Sequence, residues 1–212
     1  KALSNHLTEK GYESVLGDPC LFKKALPDGR VALVCCYVDD LVVGVPDAEM
    51  METFLAELRE RFDVKEGEGQ PVDWLLGMAV SQDIDRGTIR ISMEMMIRKL
   101  AEGLLTEEEL ARSRSVRTPM LKTPLLKDTE CTVSKDEFDY LSVVGSLLHI
   151  ANCVRCDISY AAGVLSRHAA TPGPAHVKAA KRSVMYLFNT LTLGITYRRP
   201  DTGVRAEPVL YE

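Results

Sequence analysis

The sequence predicts an α+β protein: antiparallel β-hairpins with packed helices over residues 1–120, a linker over 121–134, and a mainly helical block over 135–212. Three observations carry that expectation. A Val-rich apolar run from Val31 to Val45 is interrupted only by Asp39-Asp40, which reads as two core strands and a tight turn. Two stretches, Asp47–Phe62 and Ser92–Leu105, carry apolar residues at helical spacing. Beyond Pro119 and Pro124 the pattern turns helical, with a clean break at Thr171-Pro-Gly-Pro174.

In chain order, Lys1 to Gly11 reads as the end of a helix. Cys20–Lys24 and Val31–Tyr37 read as strands joined through Leu26-Pro27-Asp28-Gly29, and Leu41–Val45 returns after the Asp-Asp turn. Asp47 is placed to cap a helix whose Met50, Met51, Phe54, Leu55, Leu58 and Phe62 share a face. Trp74–Val80 and Thr88–Ile91 form a second hairpin around Asp83 to Gly87, followed by a helix with Met93, Met96, Ile97, Leu100 and Leu104 on its apolar side. Helices are expected at about 135–152, 157–170 and 175–191, and a strand at Gly194–Arg199.

With 46% hydrophobic residues the 212-residue chain suits a globular protein. No apolar stretch approaches bilayer length, so no membrane partner is expected. The chain opens at Lys1 without a signal-peptide pattern and reads as an excerpt of something longer. Its six cysteines fall irregularly, three of them in apolar segments, which favours reduced thiols and an intracellular setting. The net charge of −5 hides segregation. Asp47–Asp73 carries nine acids against three bases, whereas Ala111–Lys127 has five bases and Ile158–Pro200 six, neither with an acid. Lys99, Arg112, Arg114, Lys178, Lys181 and Arg182 are candidates to follow a phosphate backbone, or else ordinary solvated helix faces.

Asp39 and Asp40 admit two readings. Asp is common in turns, yet a hairpin selected only for turning favours Asn-Gly or Asp-Gly, and here Leu41 follows at once. Charged carboxylates within an apolar run call for a cation partner, and a hard divalent ion suits them. Of the other acids before Tyr37, Glu9 and Glu13 lie in polar sequence, Asp18 precedes Pro19 in a turn and Asp28 lies in Pro-Asp-Gly; none ends an apolar strand. Cys153-Val-Arg-Cys156 has the spacing of half a zinc site, but the second pair is missing, so two helix-boundary thiols are the plainer reading. His149 is expected in the core and His176 on a helix surface near Lys178.

Tyr37-Val38-Asp39-Asp40 between apolar strands is the signature box of reverse transcriptases, and the chain resembles the reverse transcriptase region of copia-type retrotransposon Pol proteins over nearly its whole length. The matching blocks are Gly17–Phe22, Leu75–Met78, Val116–Met120, Tyr140–Asn152, Arg155, Asp157–Ala161, Val164–Arg167, His176, Lys181-Arg182, Tyr186-Leu187, Gly194 and Tyr197. The resemblance implies a partial palm of a right-hand polymerase followed by a helical thumb and connection block. It implies Asp39 and Asp40 as catalytic metal ligands for two Mg²⁺ ions, with Mn²⁺ as a substitute. Tyr37, Val38, Leu76 and Gly77 would contact primer and template; for Gly77, close backbone approach to nucleic acid and relief of crowding in a strand are both open. Implied partners are an RNA or DNA template with primer, dNTPs, and the rest of the Pol polyprotein (fingers, RNase H, integrase), in a cytoplasmic particle or the nucleus. The third carboxylate of such a site and the fingers are not found, so the isolated chain is expected to be inactive. A non-catalytic remnant serving as a nucleic-acid or protein-interaction module is the alternative.

Overall fold

Alternation of exposure along Val31–Tyr37 organises the first part of the molecule: Ala32 and Val34 are buried, while Val31, Leu33 and Cys35 are exposed. Successive strand side chains point to opposite faces, so this run is apolar on both sides but covered on one. The computed structural model describes residues 1–38, 40–64, 71–123, 125–126 and 133–199. It divides into two compact units, 1–72 and 73–212.

The first unit comprises α1 (Ala2–Glu9), β1 (Glu13–Val15), β2 (Asp18–Ala25), β3 (Val31–Tyr37), β4 (Asp40–Gly44) and α2 (Ala48–Arg59). The strands form an antiparallel sheet in the order β1-β2-β3-β4. Its covered face contributes Phe22, Ala32 and Val34 to a core with Leu7, Tyr12, Phe54 and Leu58. The α2 helix starts where expected: Asp47 accepts from the Met50 N–H at 3.0 Å, satisfying an otherwise orphan donor. His6 is buried and its Nε2 lies 2.7 Å from the Glu57 carbonyl. Burial, reinforced by the Glu57 carboxylate, pushes the Tyr12 phenol up to about 12. Lys24 pairs with Glu57 at 3.3 Å and stands 4.9 Å from the Tyr12 ring centre.

The second unit contains β5 (Trp74–Leu75), β6 (Met78–Asp83), β7 (Thr88–Ser92), α3 (Glu94–Leu104), α4 (Glu107–Ser113), α5 (Tyr140–Cys153), α6 (Ser159–Ser166), α7 (Pro174–Asn189) and β8 (Ile195–Arg198). A second antiparallel sheet runs β5-β6-β7-β8. Ile97, Leu147, Ile150, Leu165, Val184 and Leu187 form one core drawn from α3, α5, α6 and α7. The compact units divide after Val72, and the segments on either side of residues 121–134 lie in the same unit. The reason is tertiary: α3 buries Ile97 and Ala101 in the same core as α5 and α7, and β8 returns to pair Ile195 with Ile91. Segment 116–120 is also fastened to α7. Asn189 donates to the Val116 carbonyl at 3.1 Å, Arg182 to Thr118 Oγ1 at 3.0 Å and Ser183 to the Pro119 carbonyl at 3.0 Å.

Two elements were not anticipated, β1 and α4. The α4 helix opens on a capping box, Thr106 and Glu109 bonding each other's N–H groups, a pattern that Thr-x-x-Glu announces. The α5 helix begins at Tyr140 rather than near 135, because Asp139 caps it through the Ser142 N–H at 3.1 Å.

Two histidines exchange their expected places. His149 is exposed on α5, with Cys153 Sγ 3.7 Å from its Nδ1, while His176 is fully buried. Its Nδ1 accepts from the Gly173 N–H at 2.8 Å and its Nε2 lies 2.9 Å from the Leu126 carbonyl. Its ring stacks on His168 with centres 4.1 Å apart. His176 sits three residues into α7, where its ring turns back to bond the free N–H at the helix start. Arg155 is buried as well, at 1% exposure. It forms a bidentate pair with Asp157 at 2.9 and 2.8 Å and donates to the Thr190 carbonyl and hydroxyl at 3.0 and 2.7 Å. Tyr186 adds a 2.8 Å bond to the same carboxylate.

Candidate functional site

The apolar run turns on a two-residue loop. Tyr37 pairs with Asp40 across β3 and β4, leaving Val38 and Asp39 between them. Val38 adopts φ 53°, the left-handed region that two-residue hairpin loops require at their first position. For a β-branched residue this costs about 1–2 kcal/mol, and such strain is found at sites where the backbone is held for a purpose. Val38 is also 87% exposed and Tyr37 54%, so the tip presents an apolar side chain and a phenol to solvent rather than to a core.

Asp40 opens β4 and shares the uncovered face of the sheet with Tyr37, Cys35 and Val42, as the registers Tyr37↔Asp40 and Cys35↔Val42 require. Among the described residues its carboxylate makes no hydrogen bond or ion pair. Asp39, the first of the expected metal ligands, lies outside the described residues. Among those described, no group of three His, Cys, Asp or Glu side chains gathers to hold a metal. The other early acids have local occupations. Asp18 accepts from the Cys20 N–H at 2.9 Å at the start of β2, Asp28 pairs with Arg30, Glu9 lies 3.8 Å from Arg61, and Glu13 sits on the edge strand β1. Asp18, expected in a turn, is the first residue of a strand.

In the second unit the same backbone device recurs. Trp74–Val80, read as one strand, folds back at Leu76-Gly77, with Leu75 pairing Met78. Leu76 has φ 50° and Gly77 φ 81°, a type I′ turn in which both central residues are left-handed. A side chain at Gly77 would meet open space, so the glycine serves the turn's φ and does not relieve crowding. Leu76, at 41% exposure, and Trp74 beside it are left facing solvent.

The six basic candidates separate into groups. Arg112, Lys178, Lys181 and Arg182 line a single groove of about 1160 Å³ whose apolar wall includes Met120 and Met185. Lys181 is paired with Glu109 at 3.0 Å and Arg182 is bonded to Thr118, so these two are committed to holding α7 against α4 and segment 116–120. Arg112 and Lys178 are exposed in that groove. Arg114 lines a separate depression with Phe188 and Asn189, and Lys99 is exposed on α3. Cys153 ends α5 and Cys156 opens a short 3-10 turn, Cys156–Ile158, two thiols at helix boundaries. The Arg155–Asp157–Tyr186 network was not picked out as a unit by sequence reasoning; the short Arg155-x-Asp157 spacing was its available signal.

Comparison with known proteins agrees with the hairpin. A family model described as reverse transcriptase (RNA-dependent DNA polymerase) matches residues 1–122. The putative transposon Ty5-1 protein of Saccharomyces cerevisiae is 32% identical over 92% of this chain and 61% of its own length. The retrovirus-related Pol polyprotein from transposon RE1 of Arabidopsis thaliana is 30% identical over 94% of this chain and 13% of its own. That from transposon TNT 1-94 of Nicotiana tabacum is 28% identical over 84% and 14%. The chain thus spans less than two thirds of each of these relatives. No solved structure matches it. A signature box on a strained hairpin and a family match over more than half the chain converge: the chain belongs to the reverse transcriptase (RNA-dependent DNA polymerase) family, as a reverse transcriptase region of a retrotransposon Pol protein.

Proposed function

We propose that this chain supplies the catalytic hairpin and part of the primer-handling apparatus of an RNA-directed DNA polymerase, acting within a larger Pol polyprotein. The observation that supports the proposal is the β3–β4 hairpin, in which Tyr37 pairs with Asp40 at the first position of β4 and Val38 holds φ 53° at the turn. Two adjacent carboxylates in sequence, of which Asp40 has no ion pair among the described residues, would offer the oxygen donors that a hard divalent cation selects. Two Mg²⁺ ions bound there would activate the primer 3′-hydroxyl and stabilise the departing pyrophosphate. Asp39 and Asp40 hold that charge; exposed Tyr37 and Val38 support the primer-template end, and the Leu76-Gly77 turn grips the primer strand. Arg112 and Lys178, with Lys99 and Arg114, track the phosphate backbone. On this reading the first unit is palm, α3 and α4 belong to the thumb, and the block from 135 onward is the connection toward RNase H. No described helix is long and apolar enough to cross a membrane, and the working place of such a polyprotein is a cytoplasmic particle or the nucleus.

Among the described residues no third carboxylate stands beside Asp40. β4 is an edge strand of its sheet, so a strand from the wider polyprotein can add there and bring a third carboxylate beside Asp40. Primer extension on a primed RNA template with dNTPs and Mg²⁺ tests this. The isolated chain should extend negligibly, while a longer polypeptide that includes the preceding strand should extend, and lose that activity with Asp39→Asn or Asp40→Asn. Robust extension by the isolated chain, lost with Asp39→Asn, would refute the need for a third carboxylate. A longer polypeptide that binds nucleic acid without regard to Mg²⁺ and never extends would favour the non-catalytic module.

A further inference from the structure

A pair of thiols lies beside the hairpin in a place the polymerase reading does not use. β2 and β3 pair antiparallel in the register Phe22↔Val34 and Leu21↔Cys35. One step beyond the last of these pairs lie Cys20 on β2 and Cys36 on β3, at the end of the ladder where β2 also shifts register against β1. Directly opposed residues of an antiparallel pair have Cα atoms about 4.5 or 5.5 Å apart, and a disulfide spans Cα separations of about 4.4–6.8 Å. Either kind of pair is therefore within reach. Cys35, one residue away, pairs with Leu21 and Val42 and so points to the opposite face of the sheet. Both Cys20 and Cys36 are free thiols, the first exposed and the second half-buried. Burial, together with the neighbouring Cys35 and Cys20 thiols, holds the Cys36 thiol above its usual range.

We propose that Cys20 and Cys36 form a redox-modification site, in which an oxidised low-molecular-weight disulfide such as glutathione disulfide converts the two thiols into a cross-strand disulfide. The exposed Cys20 thiolate attacks one sulfur of glutathione disulfide, breaking its S–S bond, forming a mixed disulfide and releasing one glutathione thiolate. The Cys36 thiolate then attacks the Cys20 sulfur and releases the second glutathione. The two protein protons end on the two glutathione thiols, and the two electrons lost by the protein reduce the oxidant. The exposed partner receives the oxidant and the half-buried partner resolves it. Cys36 immediately precedes Tyr37, so the bridge fastens β2 to β3 next to the turn at Val38.

The test uses the full chain titrated with glutathione disulfide, followed by alkylation of remaining thiols, intact mass and peptide mapping. The expected result is loss of two of the six thiols, a linked Cys20–Cys36 peptide, and a rate that rises with pH as the Cys36 thiolate becomes available. Cys36→Ser should stop at a persistent glutathione adduct on Cys20, and Cys20→Ser should leave Cys36 largely unmodified. Far-UV circular dichroism confirms that both variants remain folded. A lasting Cys20 adduct in the unaltered chain, a bridge that instead joins Cys35, or an undiminished yield of disulfide in Cys36→Ser would overturn the proposal. None of these readouts depends on polymerase activity.

Discussion

Val38 and Arg155 are single residues that local rules disfavour, and each marks something the fold needs. Val38 holds a left-handed backbone at the turn of the Asp-Asp hairpin, where Asn would sit with less strain. Val38→Asn should raise the stability of the first unit by about 1 kcal/mol, read as a higher urea midpoint. On the proposed function it should also weaken primer-template binding; a variant that is more stable and binds equally well would show that the strain serves no contact. Arg155 shows the opposite economy, a buried charge fully engaged by Asp157 and Thr190. Burial pushes the Asp157 carboxyl up, but bonds from Arg155 and Tyr186 outweigh it and hold the group below its usual range. A depressed carboxyl contributes stability above its unfolded value near about 4, and loses that contribution as pH falls through the lower folded value. Arg155→Met should cost about 2–3 kcal/mol at neutral pH, less than for a fully buried pair because Asp157 is partly exposed. The deficit should shrink below about pH 4. Equal destabilisation at pH 7 and pH 3 would contradict the assigned pairing.

Among elements, β8 depends on a position where no side chain fits. A Cβ at Gly194 would collide with the Ile91 carbonyl oxygen as the chain swings from α7 back to β7. Backbone does not yield as a flexible side chain does, so Gly194→Ala should displace β8 and cost the second unit about 2 kcal/mol. Hydrogen exchange should show the loss concentrated in β7 and β8; protection unchanged there would mean the strand adapts without leaving its partner. The glycine itself was visible in the sequence, as was the strand after it. What was not visible is that β8 closes on β7 rather than starting a further domain. Likewise the Trp74–Val80 pattern could not announce that Leu76 and Gly77 turn it back after two residues, because an apolar Leu is an unusual occupant of a left-handed turn position. The capping box of α4 is legible in the sequence at Thr106 and Glu109.

At the scale of the whole molecule, the division after Val72 makes a simple statement about folding units. A chain beginning at Asp73 should retain its helical circular dichroism and unfold cooperatively, since α3, α5, α6, α7 and the β5–β8 sheet carry their own core. A chain beginning at Leu121, the division that sequence patterning suggested, should not, because it lacks the α3 face and the partner strand of β8. Cooperative unfolding of the shorter piece alone would reverse that conclusion. The sequence by itself determined the α+β class, most helices and strands, the β3–β4 hairpin and the family, because hydrophobic period, turn chemistry and a signature box are local properties of a chain. Only the tertiary structure decided which face of the Val31–Val45 hairpin is covered, why His176 and Arg155 are buried, and that Lys181 and Arg182 are bound internally. It also decided where the chain divides. Each of these depends on which distant segment supplies the opposing surface or the hydrogen-bond partner, and a local pattern carries no record of that choice.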